Sequence, residues 1–270
     1  MLSPNEQQSK YFFNLDNVTW PDHLDKQGEL KNNIYYKKNN YGYRCDDFIE
    51  KHDKKHILFS GCSMTVGNGL EESETWAKML YEELNKNNEY SGYFNLAISG
   101  YSVAKIIYNL FKYFKLFENP ETIFLLLPPI DRKDIFYKDS VCEEMFFYNY
   151  LMLEQYCYSN KIKLISTFWK DYQDREIPYK FLRYKWWALS RDFEKQNVFS
   201  CFDTIFQPLA SENYTKEIFN YLELNKNHPR LWDANDGDNT AGIHPHPGIE
   251  RQYLWYRDFK KQYEDSLTIL

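Results

Sequence analysis

The chain has 270 residues, with 33 Lys and Arg against 39 Asp and Glu, giving a net charge of −6. That balance leaves no basic footprint for nucleic acid, so no nucleic-acid partner is expected. The length suits one sizeable core rather than two large domains, and no apolar run approaches the roughly 18 residues of a membrane span.

The start, Met1-Leu2-Ser3-Pro4-Asn5-Glu6, lacks the basic stretch and apolar run of a signal peptide. A cytoplasmic or virion-associated protein with no membrane partner is the expectation. Cys45, Cys62, Cys142, Cys157 and Cys201 are odd in number and show no CxxC spacing, which favours reduced thiols. The 24 Tyr and 20 Phe fit compositional drift toward Asn, Lys, Tyr and Phe codons, so each aromatic is not read as a ligand platform.

Residues 1–50 are polar and aromatic without helical period and form an N-terminal extension. Within it, Asn33-Ile34-Tyr35-Tyr36 and Tyr41-Gly42-Tyr43-Arg44, separated by two Lys and two Asn, predict a hairpin. From residue 51 to 270 the pattern changes. His56 to Phe59 predicts a strand, and Thr75 to Leu84 has apolar residues at helical spacing. Tyr93 to Ala97 predicts a second strand, followed by a helix over Ser102 to Phe117. Thr122-Ile123-Phe124-Leu125-Leu126-Leu127 is nearly continuous in apolar residues, as in a strand covered on both faces. Glu144 to Tyr158 predicts a helix, Ile162 to Thr167 a fourth strand, and Ile249 to Tyr263 the final helix.

Strands alternating with helices imply right-handed βαβ units and a parallel sheet. Between Trp169 and Asn239 the alternation breaks down into aromatics and charges. That stretch, about residues 170–235, predicts an aromatic-rich insertion, either a lid or partner surface or irregular structure covering an edge.

Ligands of an open parallel sheet bind outside the carboxyl ends of its strands. The first strand delivers Gly61-Cys62-Ser63 there, the second Asn95 to Gly100, and the third Pro128-Pro129-Ile130-Asp131-Arg132. The loop before the last helix delivers Gly242-Ile243-His244-Pro245-His246-Pro247-Gly248. A serine hydroxyl is a weak nucleophile until a base removes its proton. One serine at a strand end and a distant histidine cluster therefore point to a hydrolase. His244 and His246 as a metal pair would need further ligands, for which Asp236 and Asp238 are placed in sequence; no metal and no cofactor is expected. Cys62 reads as a small packed residue, and His23, His52, His56 and His228 as structural or solvated.

Gly61-Cys62-Ser63-Met64-Thr65-Val66-Gly67-Asn68-Gly69-Leu70 with Glu74-Thr75-Trp76 resembles the first block of the SGNH (GDSL-like) hydrolases. Asn95-Leu96-Ala97-Ile98-Ser99-Gly100 is similar to their second block and Gly242 to Pro247 to their last. Tyr41-Gly42-Tyr43-Arg44 resembles an element often found just before this fold. The resemblance spans roughly Lys55 to Asp265 and leaves the insertion unmatched.

It implies a flavodoxin-like three-layer α/β/α fold with a central parallel sheet. It implies Ser63 as nucleophile, His244 as general base with His246 as the alternative, and Asp238 or Asp236 orienting the imidazole. The N–H groups of Ser63 and Gly100 would face the oxyanion, with Asn95 and Arg132 as further oxyanion or substrate contacts. The substrate would be a small-molecule or glycan ester, such as an O-acetyl carbohydrate.

Two departures stand against that pattern. Pro128-Pro129-Ile130-Asp131-Arg132 offers no asparagine where the third block has Gly-x-Asn-Asp, and Ala241 stands where an aspartate is usual. They carry the alternative expectation of a catalytically degenerate module that binds a glycan or a protein partner.

Overall fold

A computed structural model describes residues 29–31, 34–128, 142–168, 198–200, 216–231, 233–234 and 246–268. Strand β1, Glu29–Lys31, pairs antiparallel with β2, Ile34–Tyr36, Glu29 opposite Tyr36. The predicted partner, Tyr41 to Arg44, is not a strand. Asn39 Oδ1 accepts the amides of Tyr41 (3.0 Å) and Tyr43 (2.9 Å), and that side-chain mimicry of a backbone turn curls the segment away.

The main sheet begins with β3, Lys55–Gly61. A one-turn helix α1, Ser63–Val66, and a tight turn at Glu72–Glu74 lead to α2, Trp76–Leu84. Then come β4, Tyr90–Asn95; α3, Val103–Leu116; and β5, Thr122–Leu127. Helix α4, Cys142–Ser159, precedes β6, Lys163–Phe168. Strand β7 is Val198–Ser200 and helix α5 is Lys216–Leu224. A two-residue ladder of β8, Asp233–Ala234, and β9, His246–Pro247, precedes α6, Ile249–Thr268.

The sheet order is β4-β3-β5-β6-β7, all neighbours parallel. Numbered from its own first strand this is 2-1-3-4-5, the flavodoxin-like doubly wound order. The expected α/β/α fold is therefore present, with five strands where the sequence pattern predicts four. The fifth, β7, lies inside the segment read as an insertion. A three-residue edge strand carries too short an apolar period to stand out among its aromatic and charged neighbours.

Strands β3 and β5 are buried over nearly their whole length, as strands covered on both faces must be. On one face Phe59 stacks on Phe124 (5.4 Å), and Phe259 of α6 lies flat against Trp76 of α2 at 4.3 Å. On the other, Tyr113 of α3 hydrogen-bonds His56 and Tyr150 of α4 bonds Ser166. Tyr43, Cys45 and Phe48, from the segment before β3, belong to the same core cluster as Ile57 and Phe94. Asp46 borders the edge strand β4: its amide donates to Tyr93 O (3.0 Å), and its carboxylate accepts Tyr93 N–H (2.9 Å). Cys45, Cys62 and Cys157 are buried. Among the described residues no helix is long and apolar enough to cross a membrane.

Candidate active site

In this strand order the chain leaves β3 for β4 on one side and returns to β5 on the other, so the carboxyl end of β3 is the topological switch point. Ser63 stands there as the first residue of α1 and is 5% exposed. Gly61 just before it has no room for a side chain: a Cβ would lie 2.2 Å from Thr65 Oγ1 and 2.7 Å from Leu126 O. Strand β3 can therefore turn into α1 hard against β5 only with glycine at this position.

A one-turn helix leaves its carbonyls without intrahelical partners, and buried carbonyls must find some. Here each one does. Ser63 O accepts from Gly67 N (3.0 Å) and Asn68 N (3.3 Å). Met64 O accepts from Gln252 Nε2 of α6 (3.1 Å), and Thr65 O from Asn95 Nδ2 at the end of β4 (3.2 Å). Arg44 Nη1 donates to Val66 O and Gly67 O, both at 3.0 Å, and Nη2 to Leu70 O at 2.8 Å. Gly67 closes the turn in the left-handed region at φ +72°, where a Cβ would meet Thr75 Cγ2 at 2.2 Å.

Asn95 is 2% exposed and its carboxamide is committed to the protein: Nδ2 also reaches Tyr93 Oη (3.0 Å), and Oδ1 accepts Ala97 N (3.0 Å). It braces the Ser63 turn instead of reaching a substrate. The sequence pattern placed it at the right end of the right strand, but a buried carboxamide with every group bonded has no donor left for an oxyanion.

The loop after β4 lies against the same turn. Ile98 N donates to Gly61 O (3.3 Å), and Ser99 Oγ donates to Asn68 Oδ1 (3.0 Å). Gly100 follows at φ +82°, with no described residue within 4 Å of the position of a Cβ. Among the described residues, neither Ser63 N–H nor Gly100 N–H donates to a backbone carbonyl, and Ser63 Oγ makes no hydrogen bond. Cys62 is fully buried, as expected of a packing residue.

His244, Asp238, Asp236, Ala241 and Arg132 lie outside the described residues. His246 is half-buried in β9, opposite Ala234. The chain there is anchored by Ile249 N to Arg230 O (2.9 Å), and a Cβ on Gly248 would lie 2.2 Å from that same carbonyl. From β9 it runs directly into α6, whose Gln252 holds Met64 O.

Three other histidines are structural. His228 Nε2 meets Glu74 Oε1 at 2.8 Å, and its Nδ1 accepts Arg230 N at 3.2 Å, so both ring nitrogens are engaged by the protein. His52 and His56 stack at 3.9 Å at the amino end of β3, away from Ser63. Burial first, and the neighbouring His52 second, push the His56 imidazole down to about 3. Among the described residues no group of three or more His, Cys, Asp or Glu is placed to hold a metal ion.

Arg44 and Gln252 are the residues that sequence reasoning missed. The resemblance of Tyr41 to Arg44 to a family element was a faint signal for the first; nothing marked the second.

No protein-family model matches the chain, and no curated protein matches it. Among solved structures it is similar to TesA, with 17% identity over 78% of this chain and 99% of that one and a TM-score of 0.44. It is similar to the psychrotrophic esterase EstA from Pseudoalteromonas sp., with 14% identity over 80% and 100% of the two chains and a TM-score of 0.48. A GDSL-like lipase from Bacteroides thetaiotaomicron shows 16% identity over 83% of this chain and 93% of that one, with a TM-score of 0.42. At these identities and TM-scores, none of the three assigns a role to a residue of this chain.

Proposed function

We propose that the protein is a serine ester hydrolase with Ser63 as its nucleophile. The observation that carries this reading is the placement of Ser63 at the switch point, on a turn whose Met64, Thr65 and Val66 carbonyls are held by side chains from outside it while the Ser63 hydroxyl stays unbonded among the described residues. Ser63 Oγ attacks the ester carbonyl carbon as His244 takes its proton. The resulting oxyanion is met by the N–H groups of Ser63 and Gly100, of which each such donor is worth about 10²–10³ in rate. The C–O bond to the alcohol then breaks, His244 returns the proton to the leaving oxygen, and water hydrolyses the acyl-serine by the same route.

Asp238, with Asp236 close in sequence, orients the imidazole; His246 is the alternative base and Arg132 a substrate contact. The chemistry requires no cofactor. The substrate class is a carboxylic ester, with a small acyl group on a carbohydrate as the specific form.

A fluorophosphonate probe tests this, because it reacts with a serine whose base and oxyanion donors are assembled. Stoichiometric label on Ser63, lost in His244→Ala and kept in His246→Ala, is the expected result. Folded protein that takes no label favours the second reading, a degenerate module binding a glycan or a protein partner. The absence of an asparagine after Pro128-Pro129 and the presence of Ala241 motivate that reading.

A further inference from the structure

Arg44 is 6% exposed and has no carboxylate within ion-pair distance among the described residues. Glu72 and Glu71 act on it only at longer range, and a buried cation without a direct ion pair is expensive, so its retention calls for a physical return. Its compensation is three carbonyls, at residues 66, 67 and 70, and the face of Tyr36, whose centroid is 4.2 Å from the guanidinium carbon. Tyr36 Oη in turn accepts the buried amide of Gly69 at 2.6 Å. Arg44 and Tyr36 together thus hold the whole run from Val66 to Leu70 from one side.

Neutral carboxamides suffice for single carbonyls of the same turn, as Asn95 and Gln252 show. A planar fork of fixed donors is what three non-collinear carbonyls require, and lysine lacks it. The cation also sits at the carbonyl end of α1, where the peptide dipoles favour positive charge. The run it holds contains Asn68, whose amide bonds Ser63 O and whose carboxamide bonds Ser99 Oγ beside Gly100. One side chain therefore fixes the link between the two loops that carry Ser63 and Gly100.

We propose that Arg44 is a positioning residue for Ser63, so that the segment before β3 is a working part of the active site and not an appendage. This rests on the reading of Ser63 as the nucleophile. The role is orientation: Arg44 keeps the Ser63 turn and the Gly100 loop in register without touching the substrate. Misplacement of a catalytic group by about 1 Å costs on the order of 10²-fold.

The test is the fluorophosphonate labelling rate of the full chain as a function of probe concentration, for the wild type, Arg44→Lys, Arg44→Met and Leu153→Ala. Leu153 is fully buried on α4 and serves as a control that lowers stability without touching the turn. The expected result is a limiting rate about 10²-fold lower in both Arg44 variants, with the half-saturating probe concentration little changed and Leu153→Ala labelled at the wild-type rate. If Arg44→Met does not fold, Arg44→Lys, which keeps the charge and loses the fork, decides. Arg44 variants that label as fast as the wild type, or slow only as much as Leu153→Ala, overturn the proposal while Ser63 stands. A folded wild type that takes no label overturns the Ser63 assignment and the positioning role with it.

Discussion

Gln252 donates to Met64 O at 3.1 Å across 188 residues of sequence, tying the last helix to the turn that carries Ser63. Its Oε1 accepts the Trp76 amide at 2.9 Å, the first N–H of α2 and one that no helical carbonyl can satisfy. One fully buried carboxamide thus registers α6, α2 and α1 against each other. Replacing it with leucine of similar size strands a buried carbonyl and a buried amide, each costing about 1–3 kcal/mol. Gln252→Leu is expected to lower the urea midpoint accordingly and to slow Ser63 labelling. An unchanged midpoint would show that the turn is held without it.

The glycines of the site divide by cause. At Gly61 an added Cβ meets a backbone carbonyl at 2.7 Å that has no freedom to withdraw, so Gly61→Ala is expected to yield little folded protein. At Gly100 nothing among the described residues lies within 4 Å of an added Cβ, and the φ of +82° is what opposes a side chain. Gly100→Ala should therefore fold, at a cost of about 1–2 kcal/mol of local conformational energy, and any loss of labelling beyond that reflects a displaced N–H. Thermal melts of the two variants separate the cases; equal destabilisation would contradict this account.

The stacked pair His52 and His56 makes acid stability a property of the sheet's amino end. His56 lies between Tyr113, Phe94 and His52, with the Glu118 carboxylate acting on His52. Its folded value of about 3 lies below the ordinary 6.5, so between those limits the unfolded chain binds more protons than the folded one. Stability from this group is complete above about pH 6.5 and is lost as the pH falls toward 3, by at most about 1.4 kcal/mol per pH unit. Denaturation midpoints of His56→Gln across that range should fall less steeply than those of the wild type. Parallel curves would mean that the imidazole is not what titrates.

How legible these features were depended on whether a residue's partner is a side chain or a backbone atom. Strands β3 and β5 declared themselves because burial on both faces forces continuous apolar runs, and Ser63 because such a run ended abruptly in small residues. Strand β7 did not, since three residues at an edge have no period to show. The bracing of the Ser63 turn was invisible for a different reason. Carbonyl oxygens look the same at every position, so a sequence cannot say which five of them need a donor, nor that Arg44, Asn95 and Gln252 would supply it. Asn95 was found by pattern and given a role at the substrate that its buried hydrogen bonds exclude. Gln252 reads as one of several polar residues of the last helix, alongside the buried Gln262 and Ser266.

A boundary drawn at residue 50 separates an extension from a domain by composition, yet the core crosses it. Phe48 lies within 6.1 Å of the rings of Tyr43, Phe94, Tyr113 and Phe117, and Tyr43 Oη bonds Asn109 inside α3 at 2.9 Å. Removing these side chains would expose one face of β4 and α3, while loss of Asp46 would free the edge of β4 at Tyr93. Burial of one large aromatic alone is worth about 1.5–3 kcal/mol, against a total stability of about 5–15 kcal/mol for an ordinary domain. A chain beginning at Lys51 is therefore expected to be insoluble or to lack a cooperative melt. One beginning at Glu29 should melt cooperatively and keep the Ser63 turn intact, because it retains Tyr36, Arg44, Asp46 and Phe48. Cooperative unfolding of the shorter chain at the temperature of the longer one would place the boundary at residue 50 after all and remove the segment before β3 from the fold.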